Sequence, residues 1–540
     1  MRHSLKMAPL LAAVLVLAAC GSSGGNGATA AGGSSAAVGD PQSGGEMTVL
    51  EDTSFVGSWP TGLDPATNTT GGANLPQMQA IYGGLFLLRA DDDGSNAKVT
   101  PNQAESIDLS ADGLTMTVKL RSGITFSDGT PLDSAAVLFN WQRDLTSPCS
   151  CKPTWPLAGT PDDITAPDAQ TVVVKFTRPF AGVTASFPAS NVNWMASPTA
   201  LQKMGEDAFK IKPVGAGPFV VESNQLSSSL VLTKNPTYFK DGLPYLDKLT
   251  FQSIGGDQPA YQALLAGQAQ AYEGLNTTAL LDQAKSNSDL QATVQPATSP
   301  YVIQLNTNAA PFNDEKAREA VYAATDFESI AKGLFKDQYP VSQGFTAPGG
   351  LFYNQKVEGY PAYDLEKAKK LVQELGGLTV TLDTISNPVA TQVNTALQTQ
   401  WKQAGIDVTI KNLQLSELIK SFTSGQWQGM LQTAGAWDPA AGVGVGFRFS
   451  SMSPFSGVKD PKLDELLNSA SATLDPAERE KLYNQAAKLI ADNHYAPFGL
   501  AFAPANLAVK GVHGPGLTTK IPAILVNTGV IWDEVWREQG

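Results

Sequence analysis

The alternation of apolar and polar residues in the stretch 98–145 predicts two strands followed by a helix. Residues 104–109 predict a strand, and the Asp112-Gly113 dipeptide after it favours a tight hairpin turn. From 114 to 120 apolar and polar side chains alternate, which is the period of a half-buried strand. Asp133 precedes a segment with apolar residues at helical spacing, so it is predicted to cap that helix.

A second patterned stretch, 378–410, predicts a strand–helix–strand unit. Apolar residues alternate over 378–382 and again over 406–410. Between them, Asn387-Pro388 opens a helical pattern that ends at Gly405. Strands joined through a helix are parallel, so this unit predicts an α/β protein with mixed sheets.

The apolar run at 78–90 is interpreted as a short helix.

The amino terminus has the features of a lipoprotein signal peptide over residues 1–19. Arg2 and Lys6 make it positive, and the apolar segment that follows is too short to span a bilayer as a mature helix. The motif Leu17-Ala18-Ala19-Cys20 resembles a bacterial lipobox, in which the chain is cut before the cysteine and the cysteine carries the lipid. Residues 20–45 are rich in Gly, Ser and Ala and predict a flexible tether. The alternative is an ordinary secretory signal in which Cys20 occurs by chance.

Length and charge narrow the class of protein. A chain of 540 residues is too long for one core and suggests about two to four structural units. Its net charge is −13, and loss of residues 1–19 leaves 35 basic against 50 acidic residues, a charge of −15. We therefore expect no nucleic-acid partner, because such partners are bound by basic patches. Cys149 and Cys151 could pair in an exported protein, but a Cys-x-Cys ring is strained, so both states stay open.

Motifs for catalysis and metal binding are absent from the sequence. Of the three histidines, His3 lies in the signal peptide, and His494 and His513 stand alone. No HExxH or CxxC motif occurs, and no DxDxDG loop. The one GxSxG match, residues 21–25, lies in the Gly/Ser-rich segment predicted as a tether, whereas a nucleophile motif of this kind needs a strand-to-helix turn. We expect neither an enzyme, a cofactor nor a metal site.

Three sequence motifs resemble one known family. The segments are similar to those of the family-5 extracellular solute-binding proteins. They are P…AES…DG…KLR.G..FSDGTP within 98–145, Leu63-Asp64-Pro65, and Pro213-Val214-Gly215-Ala216-Gly217-Pro218-Phe219. Members include the dipeptide- and oligopeptide-binding subunits of ABC importers.

The resemblance implies a two-lobe fold of the periplasmic-binding-protein type, with the ligand in the cleft between the lobes. Its large class carries an extra inserted subdomain. On this pattern the first lobe comprises residues 46–75, 198–297 and 500–540. The inserted subdomain comprises 76–197, and the second lobe comprises 298–499.

A candidate ligand site follows the strand predicted at 427–434. The strand ends at Gly435-Ala436-Trp437-Asp438-Pro439, and ligands of open α/β sheets bind beyond the carboxyl ends of strands. A desolvated carboxylate suits the α-ammonium that every free peptide carries. Related peptide binders have such an Asp here, which implies this role for Asp438; the alternative is a turn residue before Pro439. Aromatic residues predicted to complete the pocket are Phe55, Trp59, Trp194, Trp427 and Trp437.

The function that these features predict is a lipid-anchored, monomeric substrate-binding protein on the outer face of a bacterial membrane. It would capture peptides and deliver them to the permease of an ABC importer. Binders of oligosaccharides, opines or metal complexes, and envelope scaffolds of the same fold, are the alternatives.

Overall fold

The computed structural model describes part of the chain: residues 39–52, 59, 61–68, 74–147, 160–385, 388–441, 444–501, 503–524 and 529–539. The predictions for the signal peptide 1–19, Cys20, Phe55 and the pair Cys149 and Cys151 lie outside the described residues, as does the tether before residue 39. No helix among the described residues has both the length and the apolar character needed to cross a bilayer.

The strands in chain order are β1 (Glu46–Asp52), β2 (Phe86–Arg89), β3 (Lys98–Pro101), β4 (Ala104–Leu109), β5 (Thr115–Leu120), β6 (Ile164–Asp168), β7 (Thr171–Lys175), β8 (Phe219–Gln225), β9 (Ser229–Lys234), β10 (Lys248–Ile254), β11 (Ala271–Leu275), β12 (Leu290–Val294), β13 (Pro300–Leu305), β14 (Leu378–Ile385), β15 (Ile406–Leu413), β16 (Gly429–Thr433), β17 (Phe498–Ala501), β18 (Ala505–Val509), β19 (Val512–His513) and β20 (Trp536–Arg537).

The α-helices are α1 (Leu75–Tyr82), α2 (Ser134–Thr146), α3 (Val183–Ser186), α4 (Pro198–Met204), α5 (Glu206–Phe209), α6 (Asp257–Leu265), α7 (Thr278–Ser286), α8 (Glu315–Ala324), α9 (Phe327–Phe335), α10 (Leu365–Glu374), α11 (Pro388–Gln403), α12 (Leu415–Ser424), α13 (Val445–Phe449), α14 (Pro461–Ala472) and α15 (Pro476–Asp492).

A seven-stranded mixed sheet, in the order β12-β18-β11-β1-β10-β9-β8, forms the part of the molecule that we term the first lobe. In its middle, β1 is parallel to both β10 and β11. Met47 and Val49 alternate with less buried neighbours along β1 and enter the core of this lobe. Burial of such apolar side chains is the main stabilising contribution to the sheet.

A five-stranded mixed sheet, in the order β15-β14-β16-β13-β17, forms the second lobe. The predicted strand–helix–strand unit is confirmed, because β14 and β15 are parallel and α11 connects them. Val393, Leu397 and Trp401 of α11 are fully buried in the core of this lobe. The mixed α/β character expected from the sequence is confirmed by both sheets.

A four-stranded antiparallel sheet, β4-β5-β7-β6, contains the two strands predicted within 98–145. The predicted hairpin and helix are both present as β4, β5 and α2. Asp133 caps α2, since its side chain accepts a hydrogen bond of 3.0 Å from the Ala136 amide. Trp141 of this helix is fully buried in the core of this region.

The helix predicted for 78–90 is wrong beyond Tyr82. There α1 ends, and Phe86–Arg89 form β2 instead. Gly83 and Gly84 separate the two elements with φ values of 73° and 87°, a conformation that glycine adopts without strain. The apolar run is therefore two buried elements joined by a glycine turn.

The chain passes between the two lobes twice, from β12 to β13 and from β17 to β18. Because β12 and β18 are hydrogen-bonded neighbours, both crossings leave the first lobe at one place. The amide of Ala347 in the second lobe donates to the Thr298 carbonyl beside this crossing.

Candidate functional site

The predicted loop 435–439 lies where β16 ends, beside the interface of the two lobes. The Trp437 carbonyl accepts a hydrogen bond of 2.7 Å from the Leu351 amide, which ties the loop to a second segment of its own lobe. A Cβ at Gly435 would lie 3.0 Å from the Phe345 carbonyl, so the close approach of this backbone favours glycine.

Trp437 reaches across to the other lobe. It is half-buried and packs against the hydrophobic core of the first lobe. Beside it lies a small enclosed apolar cavity, and the side chains around it come from both lobes: Leu88, Ala185, Pro188, Ala189, Ala436, Trp437, Ala441 and Ile524. The loop therefore forms one wall of a space between the lobes.

The four-stranded sheet region also contacts the second lobe near this loop. The Ala181 amide donates to the Ser471 carbonyl at 2.7 Å. At Gly182 a Cβ would lie only 2.6 Å from the Cβ of Ala440, closer than side chains approach each other. The lobes thus meet away from their connecting segments, as in a closed two-lobe protein.

Asp438 is buried and paired with an arginine. Its Oδ1 accepts from a terminal nitrogen of Arg479 at 2.7 Å, and the two side chains are 3% and 8% exposed. The same oxygen accepts from the Ala440 amide at 2.8 Å. Burial acts to lower the pKa of Arg479, but the charge of Asp438 outweighs it and leaves that pKa above its ordinary value. This pairing favours the structural alternative for Asp438, while its role as an ammonium anchor stays a prediction.

Arg479 is a residue that sequence reasoning missed. It lies on α15, and its guanidinium also stacks over the Phe352 ring at 4.9 Å from the centroid. The available signal was periodicity: Arg479 shares a helix face with Tyr483, Ala486 and Ile490, all of them buried. A charged residue at a core position of a helix indicates a buried partner.

The other predicted tryptophans, Trp59, Trp194 and Trp427, lie in hydrophobic cores. Trp59 and Trp194 are buried in the first-lobe core against which Trp437 packs, and the Trp59 indole donates to Asn224 at 2.7 Å. Trp427 belongs to a separate cluster in the second lobe, edge-on to Phe422. The structure thus groups Trp59 and Trp194 with Trp437 and sets Trp427 apart. Contact of any of them with a solute stays a prediction.

No cluster of three or more carboxylate, histidine or cysteine side chains that could hold a metal ion occurs in the described ranges. Together, two mixed-sheet lobes, two crossings at one place and a loop facing across the cleft define the class of two-lobe solute-binding proteins.

Comparison with known proteins identifies the family within that class. Residues 98–452 match the bacterial extracellular solute-binding proteins, family 5. Since the match covers more than half of the chain, the protein belongs to this family. Family-5 proteins bind small solutes and work with ABC permeases.

Relatives and solved structures agree with this membership. The glutathione-binding protein GsiB of Escherichia coli K12 is 29% identical over 455 residues, which cover 81% of this chain and 86% of the relative. The fold is similar to DppA of Helicobacter pylori in complex with the peptide STSA, with a TM-score of 0.75 at 22% identity over 92% of this chain and 99% of the other. It is also similar to AgaA of A. tumefaciens R10 in complex with agropinic acid, with a TM-score of 0.76 at 21% identity over 92% and 99% of the two chains. The two-lobe fold predicted from the sequence is confirmed.

Proposed function

We propose that the protein captures peptides in the cleft between its lobes and delivers them to the permease of an ABC importer. The observation that carries the proposal is the position of Trp437, which extends from the second lobe to the core of the first beside an enclosed cavity. A solute that enters while the lobes are apart would contact Gly435, Ala436 and Trp437, and the lobes would then close over it. The names of the glutathione and STSA binders support a peptide over other solutes.

Trp437 also provides the direct test. We expect titration with glutathione and a series of two- to nine-residue peptides to change the tryptophan fluorescence and to give saturable binding by calorimetry. Agropinic acid and an oligosaccharide belong in the same panel. Binding of either of these, with no peptide bound at any length, would overturn the peptide assignment and leave the capture of small solutes intact.

The proposed division into lobes predicts a motion. The first lobe comprises 46–75, 198–297 and 500–540, the inserted subdomain 76–197, and the second lobe 298–499. Small-angle scattering with and without a bound peptide is expected to show a smaller radius of gyration in the bound state. An unchanged radius at saturation would argue against closure around the ligand.

We further propose that the protein is a monomer held on the outer face of the membrane through a lipid on Cys20, after removal of residues 1–19, with 20–45 as the tether. Mass spectrometry of protein from a bacterial membrane fraction is expected to show a lipid-modified Cys20 at the mature amino terminus. A Cys20→Ser variant is then expected in the soluble fraction. Recovery of wild-type protein with an unmodified Cys20 would contradict the anchor.

A further inference from the structure

Two carboxylates lie side by side on neighbouring parallel strands of the first lobe. Glu51 of β1 is the register partner of Glu273 of β11. Side chains at paired positions of adjacent strands point to the same face of a sheet, about 5 Å apart. Glu273 is 8% exposed, so a pair of like charges is held together where water screens it poorly.

This pair lies at the edge of the sheet that faces the second lobe. On the adjacent strand β18, Asn506 is the register partner of Glu273, and it is also the register partner of Thr293 on β12. One residue further, at Ala505 and Val294, both strands leave the sheet for the second lobe. Glu51 and Glu273 thus occupy the carboxyl ends of parallel strands at the cleft, where ligands of open sheets bind.

Gln77 of α1 completes the group. Its side chain is fully buried, and its Nε2 donates to Glu51 Oε2. Because Nε2 is used in this way, the other end of the amide presents an acceptor. Gln77 Oε1 and Glu51 Oε1 are both shielded from solvent and have no hydrogen-bond partner among the described residues. We term Glu51, Gln77 and Glu273 the acidic pocket.

Buried acceptors without donors are costly, and so are adjacent buried charges. Burial first and then the charge of Glu273 raise the pKa of the Glu51 carboxyl well above its ordinary value, against the hydrogen bond from Gln77. A group that supplies both positive charge and N–H donors offsets the two costs at once.

We propose that the acidic pocket binds a positively charged nitrogen group of the solute, an ammonium or a guanidinium, and so gives the protein a preference for cationic solutes. The inference rests on the proposed capture of solutes in the cleft. A metal ion fits the pocket less well, because Ca²⁺ takes about six to eight oxygen ligands and Mg²⁺ requires near-ideal octahedral geometry. In the closed arrangement these oxygens are shielded, so the solute enters while the lobes are apart.

The test compares solutes that differ only in one charge. Ala-Lys-Ala and Ala-norleucine-Ala share the α-ammonium and the carboxylate, and agmatine serves as a cation without a peptide. We expect wild-type protein to bind the lysine peptide at least about tenfold more tightly than its norleucine partner, a typical effect of one charged hydrogen-bonded contact. In Glu51→Gln or Glu273→Gln the ratio is expected to fall below about threefold. Glu105→Gln, which changes an exposed carboxylate, is the matched control and keeps the wild-type ratio.

The variants also separate binding from structure. If Glu51 only supported the fold, Glu51→Gln would lower the melting temperature of the empty protein. If it binds a cation, the empty variant melts at the same or a higher temperature, because a buried like-charge contact is gone.

Failure of the inference is distinguishable from failure of the peptide proposal. Equal affinity of wild type for the lysine and norleucine peptides overturns the inference and leaves peptide capture standing. Binding of agmatine without either peptide, abolished in Glu51→Gln, supports the pocket and overturns peptide capture. Absence of binding by all three probes overturns the acidic pocket.

Discussion

The two lobes each place carboxylates beside the cleft, but in different surroundings. In the second lobe Asp438 is neutralised by Arg479 at 2.7 Å. In the first lobe Glu51 faces Glu273, and its described hydrogen bond comes from the neutral amide of Gln77. A buried ion pair holds a loop in one arrangement, whereas a buried pair of like charges is stabilised by a positive group from outside. We therefore expect the second lobe to hold its loop in one conformation and the first lobe to select solutes by their charge.

The largest effect is expected from breaking the ion pair. Asp438→Asn leaves the Arg479 guanidinium buried without its counter-charge, which should lower the free energy of unfolding by about 3–5 kcal/mol. Urea denaturation measures this loss. Glu478→Gln is the control, because its exposed pair with Lys481 should contribute under about 1 kcal/mol.

The same variant tests the anchor role of Asp438. With a structural Asp438, free-amine and N-acetylated peptides lose affinity equally. A loss confined to free-amine peptides would instead establish Asp438 as the ammonium anchor and remove the contrast between the lobes.

The next effect concerns closure itself. Gly182→Ala places a methyl group 2.6 Å from the Cβ of Ala440 across the lobe interface, so the closed state becomes less populated. We expect every solute to bind about tenfold more weakly, by calorimetry, because the competent state is a smaller fraction of the protein. Gly255→Ala, where an added Cβ meets nothing within 4 Å, should bind as wild type. Unchanged affinity in Gly182→Ala would show that this contact is not part of the bound state.

The acidic pocket should make stability depend on pH. The pKa of Glu51 is raised in the folded protein, so its contribution is fully present below the ordinary pKa of glutamate and is lost as pH rises through the folded value. Glu51→Gln cannot titrate there. Without solute, we expect the variant to melt above wild type at pH 8, with the difference shrinking as the pH is lowered. A difference that is constant with pH would contradict the buried charge.

The smallest effect is expected at the apolar wall. Trp437→Phe keeps a ring against the first lobe, so affinity for charged and neutral solutes should fall alike, by less than about threefold. Most of the fluorescence change on binding should disappear with the indole. A loss specific to cationic solutes would place charge selection in the second lobe and break the comparison.

Sequence periodicity predicted elements whose signals are local. The alternation in β5, the Asp133 cap of α2 and the β14–α11–β15 unit all depend on residues close in the chain. The helix predicted for 78–90 was wrong beyond Tyr82 because residues 78–88 are all buried. Full burial removes the periodicity that distinguishes a helix from a strand.

The site could be predicted only in part, for a related reason. The loop around Trp437 follows a strand and resembles a known motif, so its place in the site could be predicted from the sequence. Arg479 lies 41 residues from Asp438, and Glu273 lies 222 residues from Glu51; neither pairing is readable without the tertiary fold. Parallel neighbours such as β1 and β11 leave no mark in the chain that identifies which strand adjoins which.

The position of β18 sets an order in which the two lobes can be completed. This strand lies inside the first-lobe sheet, between β11 and β12, yet it begins only at Ala505. The second-lobe sheet uses strands from 300 to 501 and is complete before β18 exists on a growing chain. A nascent first lobe therefore has an open gap in its sheet until the chain has grown past Ala505. Truncation before Ala505 should leave a folded second lobe attached to an unfinished first.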